Sequence, residues 1–313
     1  MNASIRKKEV KSQLFKTLLP AFLFFIGAIL VITKQAVIRK SIETSIRLCL
    51  SSIIPAILPF MILSDYFMSS NTINENSIIA ILFRKAFSIN GVGVIPFIIG
   101  NICGFPLGAK IVVQLYECGY ISSEEYEKLL PLCSNPSLAF VISGVGLGMR
   151  SSIFDGVLLY IIIVLSTIIS GILYKKSISA SNFQKNITKS VFSFSSSLTS
   201  ATDSCIYVSA YIVFFSIISG LILESRLPRT FLLILLTFLE LGNATSLVSV
   251  ELKNSILSLP LTAFALGFSG ISVYLQSLCF IQKTATGNSY LKMKITEGVI
   301  AFILAYLLSF LTY

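Results

Sequence analysis

Gly104-Phe105-Pro106-Leu107-Gly108-Ala109-Lys110 interrupts a long apolar stretch, with residues 92–103 before it and 111–116 after it. A helix in lipid keeps its backbone bonded to itself, because hydrocarbon offers no partners for free N–H and C=O groups. Two glycines and a proline within five residues break such a helix, and a lysine follows at once. Backbone of this kind is tolerated at membrane depth where protein buries it or where it lines a wet cavity. The run therefore predicts the tip of a re-entrant hairpin over 92–118, and discontinuous helices of this sort hold the substrates of transporters.

The rest of the chain supports a membrane setting. Of its 313 residues 55% are hydrophobic and 12% charged, with a mean hydropathy of +0.87, whereas soluble domains carry roughly 25% charged residues. The net charge of +10 collects at segment ends, as in loops held on the cytoplasmic side, and points to the lipid bilayer rather than to nucleic acid. The chain has no histidine, which removes the usual general base and the commonest metal ligand. It has no G-x-x-x-x-G-K-[ST] phosphate loop, and its six cysteines form no C-x-x-C pair. No cofactor and no metal site is expected. An enzyme built on Asp203 or Glu240 is the weakest reading, so the chain is expected not to be an enzyme.

Spans of about 17–25 apolar residues predict crossings near 14–33, 46–68, 134–150, 153–174, 205–223, 259–282 and 293–312. A second interrupted stretch, 228–252, predicts a second hairpin. Residues 77–88 are too short to cross and carry Arg84 and Lys85, so they are expected to lie along the interface; 187–203 predicts a separate interfacial or connecting helix. With the N-terminus cytoplasmic, basic loops at 175–190 and 283–294, the latter with Lys292 and Lys294, fall inside. Segment 34–47, with Lys34, Arg39, Lys40 and Arg47, falls outside against that rule and reads as an amphipathic helix in the headgroups.

The fold class expected is an all-α polytopic membrane protein with about seven or eight crossings in one transmembrane domain. The order crossing, hairpin, Gly-rich crossing occurs twice, in a first repeat over about 46–150 and a second over about 205–282. The helices at 14–33 and 293–312 are peripheral to both. An odd number of crossings separates the starts of the units, so the second is inverted, and the two tips converge near the midplane.

The candidate substrate-binding residues follow from that convergence. At the first tip, Gly104, Pro106, Gly108 and Ala109 expose backbone N–H groups, helped by the half-helix over 109–116. Lys110 either neutralises an anionic substrate, pairs with a carboxylate such as Glu240 or Asp65, or snorkels to the surface. At the second tip, over 240–246, Glu240 follows a strongly apolar run and is a candidate for a coupling H⁺ or Na⁺. Asn243, Thr245 and Ser246 offer compact donors and acceptors, or act as helix caps. Asn135-Pro136 is expected to open a helix, with the proline in its first turn. Ser269 lies in a Gly/Ser-rich stretch that lets a neighbouring helix approach closely. Gln276 is a primary amide deep in a span and needs a partner. Asp65 and Asp203, near the ends of their segments, read as interfacial, and Pro55 and Pro59 as kinks.

The opening run resembles the signature of the YlbJ (SpoVV) family of sporulation integral membrane proteins. The resemblance continues through Ile121-Ser122-Ser123-Glu124-Glu125-Tyr126-Glu127-Lys128-Leu129-Leu130 and Cys133-Ser134-Asn135-Pro136-Ser137, and returns at Gly267-Phe268-Ser269-Gly270-Ile271-Ser272-Val273-Tyr274-Leu275-Gln276. It spans about 40–310; Ser134-Asn135 stands where the family usually has Asn-Asn, and a histidine common near Tyr274 is missing. The resemblance implies a nucleoside-recognition gate domain, distantly similar to concentrative nucleoside transporters. It implies transport of dipicolinic acid across the outer forespore membrane, with a nucleoside or other small organic solute, or a non-transporting structural or channel role in sporulation, as alternatives. The partners expected are a dipicolinate-like anion, H⁺ or Na⁺, the bilayer and a second copy of the chain in a homo-oligomer.

Overall fold

A computed structural model of the chain describes residues 20, 22, 24–69, 77–175, 193–278 and 287–312. Among them every regular element is helical. After α1 (Phe24–Thr33), α2 (Gln35–Leu48) runs through a π-helical turn, Cys49–Ile53, into α3 (Ile54–Ser69). The wider turn sits where Pro55, lacking an N–H, would crowd the carbonyl four residues back, at Ser51. The part of the expected 14–33 crossing before residue 20 lies outside the described residues.

Ser77 caps α4 (Ile78–Phe87), accepting from the Ala80 N–H at 3.2 Å, and Ser88 ends it in the left-handed region at φ 54°. The axis then turns by 99° into the span formed by Gly91–Gly93 and α5 (Val94–Cys103). Glu125 fixes the corner: one oxygen accepts from the Asn90 N–H at 2.7 Å, and the other completes the capping box with Ser122 that starts α7 (Ser123–Leu132).

Between them α5, the turn at Gly104–Pro106 and α6 (Leu107–Glu117) form the first hairpin. After α7 the chain is non-helical over 134–137, then continues through the π-helical segment Phe140–Met149 into α8 (Ile153–Leu173). A long helix, α9 (Phe194–Leu223), precedes a hairpin of α10 (Arg229–Leu239) and α11 (Leu241–Glu251). A span broken at Ser269 follows, as α12 (Ser258–Phe268) and α13 (Gly270–Leu278), and then α14 (Gly287–Thr312). The long helices of the halves meet in pairs. The Ser216 hydroxyl of α9 donates to the Ser41 carbonyl of α2 at 3.3 Å, and α8 lies along α14.

Two expectations change. Residues 194–203 are not a separate helix but the first turns of the 30-residue α9. Its Ser/Thr-rich start stays helical because Thr199, Thr202 and Ser204 each donate to the carbonyl four residues back, satisfying their hydroxyls within the helix. By length and composition, four helical segments among the described residues can cross a membrane, or five if the 99° pair is one span. The expected crossings at 46–68 and 134–150 are interrupted by π-helical turns or irregular chain, so neither is a single uninterrupted α-helix.

The apolar interior has two parts. One gathers α3, α4, α6, α7 and α9 around the first hairpin. The other joins the π-helical segment, α8, α14 and the second hairpin, with Phe105 of the first tip packed against it.

Candidate functional site

The first tip owes its shape to three glycines that share one neighbour. Gly104 adopts φ +82°, a left-handed value that favours glycine, and a Cβ there would lie 2.6 Å from the Ser137 nitrogen. A Cβ on Gly100 or Gly108 would collide with the Cys133 carbonyl oxygen. The three form a groove in which 133–137 lies, and the Phe105 N–H donates to the Asn135 carbonyl at 2.8 Å. The expectation that Asn135-Pro136 begins a helix is corrected: both residues are in irregular, non-helical chain, and Ser137 caps the next helix by accepting from the Phe140 N–H at 3.1 Å. The groove holds this stretch unwound, because Asn135 spends its carbonyl on the hairpin tip. Gly104, Pro106, Gly108 and Ala109 are all buried there.

One helical turn beyond the tip, Lys110 is 6% exposed and pairs with Asp65 of α3. Its ammonium lies 3.2 Å from each carboxylate oxygen, and Gln114 donates to the same carboxylate at 2.6 Å. The choice left open by the sequence, substrate or Glu240 or Asp65, is Asp65 in this conformation. Asp65 is thereby not merely interfacial. Burying both charges is costly unless they pair, and this pair meets that condition.

Behind the tip lies a polar cluster that the sequence did not suggest. Lys294 and Glu297, one turn apart on α14, are 0% and 1% exposed, and their charges meet at 2.9 Å. Lys294 also donates to the Asn135 side-chain oxygen at 2.8 Å, and the Asn135 amide donates to Asn101 of α5 and Thr167 of α8. Thr167 in turn reaches Glu297 at 2.7 Å. The unwound stretch is thus tied to α5, α8 and α14 at one point. Lys294 is corrected from a loop residue to a core one; α14 begins at Gly287, so the i, i+3 spacing of Lys294 and Glu297 was the available signal.

The second tip is a single residue. Glu240 is extended, and its carboxylate accepts from the N–H groups of Gly242 at 2.8 Å and Asn243 at 2.7 Å, capping α11. It does not meet Lys110. Asn243, Thr245 and Ser246, expected in the tip, lie in the first turns of α11; Thr245 is buried and donates to the Leu241 carbonyl at 2.9 Å, while Ser246 is exposed. This tip, too, abuts a break. A Cβ on Gly270, at φ +78°, would come within 3.2 Å of the Leu239 carbonyl oxygen. Beside it, Ser269 sits at φ 67°, its hydroxyl donating to Leu266. Gln276 finds its partner on its own helix, donating to Ser272 at 3.1 Å. Asp203 is exposed on α9.

The candidate residues therefore fall in two places, each a hairpin tip seated on a break in the following span. Phe105 joins them, packing against the cluster that holds Leu236, Leu241 and Ala244 of the second hairpin.

The chain is similar to the sporulation integral membrane protein YlbJ of Bacillus subtilis (strain 168), 27% identical over 149 residues. The match covers 47% of this chain and 36% of that protein, so it reaches only about a third of the relative's length. It agrees with the resemblance carried by the sequence motifs. No family model and no solved structure matches the chain.

Proposed function

We propose that the chain is a secondary transporter, not an enzyme, that carries a small planar anion across a membrane of the sporulating cell. The substrate this reading favours is dipicolinate, and the membrane is the outer forespore membrane, with the N-terminus cytoplasmic. One observation carries it: each hairpin tip rests against an unwound stretch of the span that follows, at Ser134–Ser137 and at Ser269. Broken helices meeting hairpin tips within a bilayer serve substrate binding and alternating access. We read the two runs of long helix, hairpin, broken span and long helix as inverted repeats, and the paired long helices as their common axis. The membrane and sporulation setting is supported by the apolar helices and by the name of the similar protein.

A flat dianion needs positive charge. The second helix N-terminus already holds the Glu240 carboxylate, so the anion is placed at the first hairpin, within reach of Lys110. The test is uptake of radiolabelled dipicolinate by proteoliposomes holding the purified full chain. A carrier gives saturable uptake and counterflow; uptake of a labelled nucleoside but not dipicolinate selects the alternative substrate. Conductance without saturation selects a channel, and no flux of either solute overturns the transport reading.

A further inference from the structure

The Lys110 site holds more than a fixed ion pair. Three N–H donors on the ammonium face one carboxylate, and the Gln114 amide oxygen is buried without a hydrogen-bond partner. A buried acceptor with nothing to accept is costly and marks a site where a donor is missing. The carboxylate itself is in a different state of exposure from its partners deeper in the fold. Asp65 is 13% exposed at the side chain and Lys110 7%, against 0% and 2% for Lys294 and Glu297. Asp65 is thus enclosed but not sealed.

We propose that Asp65, with Lys110 and Gln114, is the proton-coupling site of the transporter, and that a proton and the anionic substrate bind together because Lys110 must always have one counter-charge. The inference rests on the transport reading above. With Asp65 ionised, its charge neutralises Lys110 and leaves no room for an anion. When a proton from water binds a carboxylate oxygen, Asp65 becomes neutral and the buried ammonium loses its partner. An uncompensated buried charge is strongly unfavourable. A carboxylate of the substrate then replaces Asp65 as the acceptor of the Lys110 N–H groups. The single charge of Lys110 is met in both states, by Asp65⁻ in the empty site and by one substrate carboxylate once Asp65 is protonated; the second carboxylate of a dianion lies outside this pair and leaves the loaded site one negative charge in excess.

The amide completes the exchange. The new Asp65 O–H is the donor that the Gln114 oxygen lacks, and the Gln114 NH₂ is released toward the incoming carboxylate. All three side chains thereby keep or gain partners in the loaded state. Among the described residues, Asp65 faces Lys110 and Gln114 on α6, and the Cys205 thiol on α9 lies within electrostatic reach of Lys110. A thiol carries no charge to compete with the carboxylate for Lys110.

The experiment is calorimetry of dipicolinate binding to the detergent-purified full chain, in two buffers of different ionisation enthalpy, alongside proteoliposome uptake. The wild-type chain should take up about one proton per anion, and affinity should rise about tenfold for each unit by which the pH falls. Asp65→Asn mimics the protonated state: it should bind without proton uptake, at the affinity the wild type reaches in acid. Lys110→Gln should lose binding at every pH. Wild type that binds dipicolinate with no proton uptake overturns the coupling site, as does Asp65→Asn that keeps the pH dependence. The wild-type proton count needs no variant to fold. Wild type that neither binds nor transports dipicolinate overturns the transport reading itself, and the coupling site with it.

Discussion

Replacing Gly108 by alanine adds one methyl group at the point where the first hairpin holds the unwound stretch. An ideal Cβ there lies well inside 3.0 Å of the Cys133 carbonyl oxygen, with Gly100 Cα 2.8 Å away. Both obstacles are backbone, so neither can rotate aside. Relief requires the hairpin and 133–137 to move apart, which stretches the Phe105–Asn135 hydrogen bond of 2.8 Å and opens buried surface around Leu107 and Ile111. Overpacking of this kind costs about 1–3 kcal/mol, and losing the backbone bond adds about 1 kcal/mol. Alanine's better helix propensity returns about 1 kcal/mol. The net loss is about 1–3 kcal/mol, or roughly 5- to 150-fold in the folded-to-unfolded ratio. The control is Gly27→Ala, where nothing lies within 4 Å and propensity alone should stabilise. A thiol-reactive fluorophore reports unfolding directly, since Cys133 is 0% exposed and lies in the contact. Gly108→Ala should react at lower temperature than wild type and Gly27→Ala no earlier than wild type. Equal midpoints for the two variants would refute the seating of the hairpin on this stretch.

Lys294→Met leaves Glu297 charged and unpartnered and should cost about 3–5 kcal/mol in the same thermal assay, while Lys294→Met/Glu297→Leu should recover most of it. Glu240→Ala removes the acceptor for two N–H groups and should destabilise by about 0.5–2 kcal/mol without altering the proton count of dipicolinate binding. A changed proton count would place the coupling site at the second tip after all. Gly270→Ala, at φ +78° against the Leu239 carbonyl, should lower the unfolding midpoint, whereas Ser269→Gly, at φ 67°, should not.

What could be read from the sequence was the punctuation. Gly104, Pro106 and Gly108 break an apolar run, and Glu240 stands alone after another, so both hairpins were legible within a residue or two at their ends. Pairing was not legible, because partners in a helical membrane protein are set by packing and not by spacing. Asp65 is 45 residues from Lys110, and Asn135 is 159 from Lys294. Lys294 was misplaced for a related reason: a lysine near the end of an apolar segment usually marks the water boundary. Here a carboxylate one turn on and an asparagine from the unwound stretch replace the water it loses. Glu240 shows the converse. A carboxylate between apolar runs suggests an ion site, yet two backbone N–H groups at a helix start are already sufficient partners.

The two buried lysines then divide the work between them. Lys294 has acceptors on two elements, is fully enclosed, and bonds to the unwound stretch that the first hairpin grips, so disturbing it disturbs the seat of the tip. Lys110 has one carboxylate for three donors, with an unsatisfied amide oxygen beside it. A fully enclosed ammonium held by acceptors on two elements resists exchange, and one held by a single carboxylate beside an unsatisfied amide oxygen invites it. That difference, and not the presence of buried charge as such, locates the proposed exchange of counter-ions at Asp65 and Lys110 and leaves Lys294 and Glu297 to hold the frame.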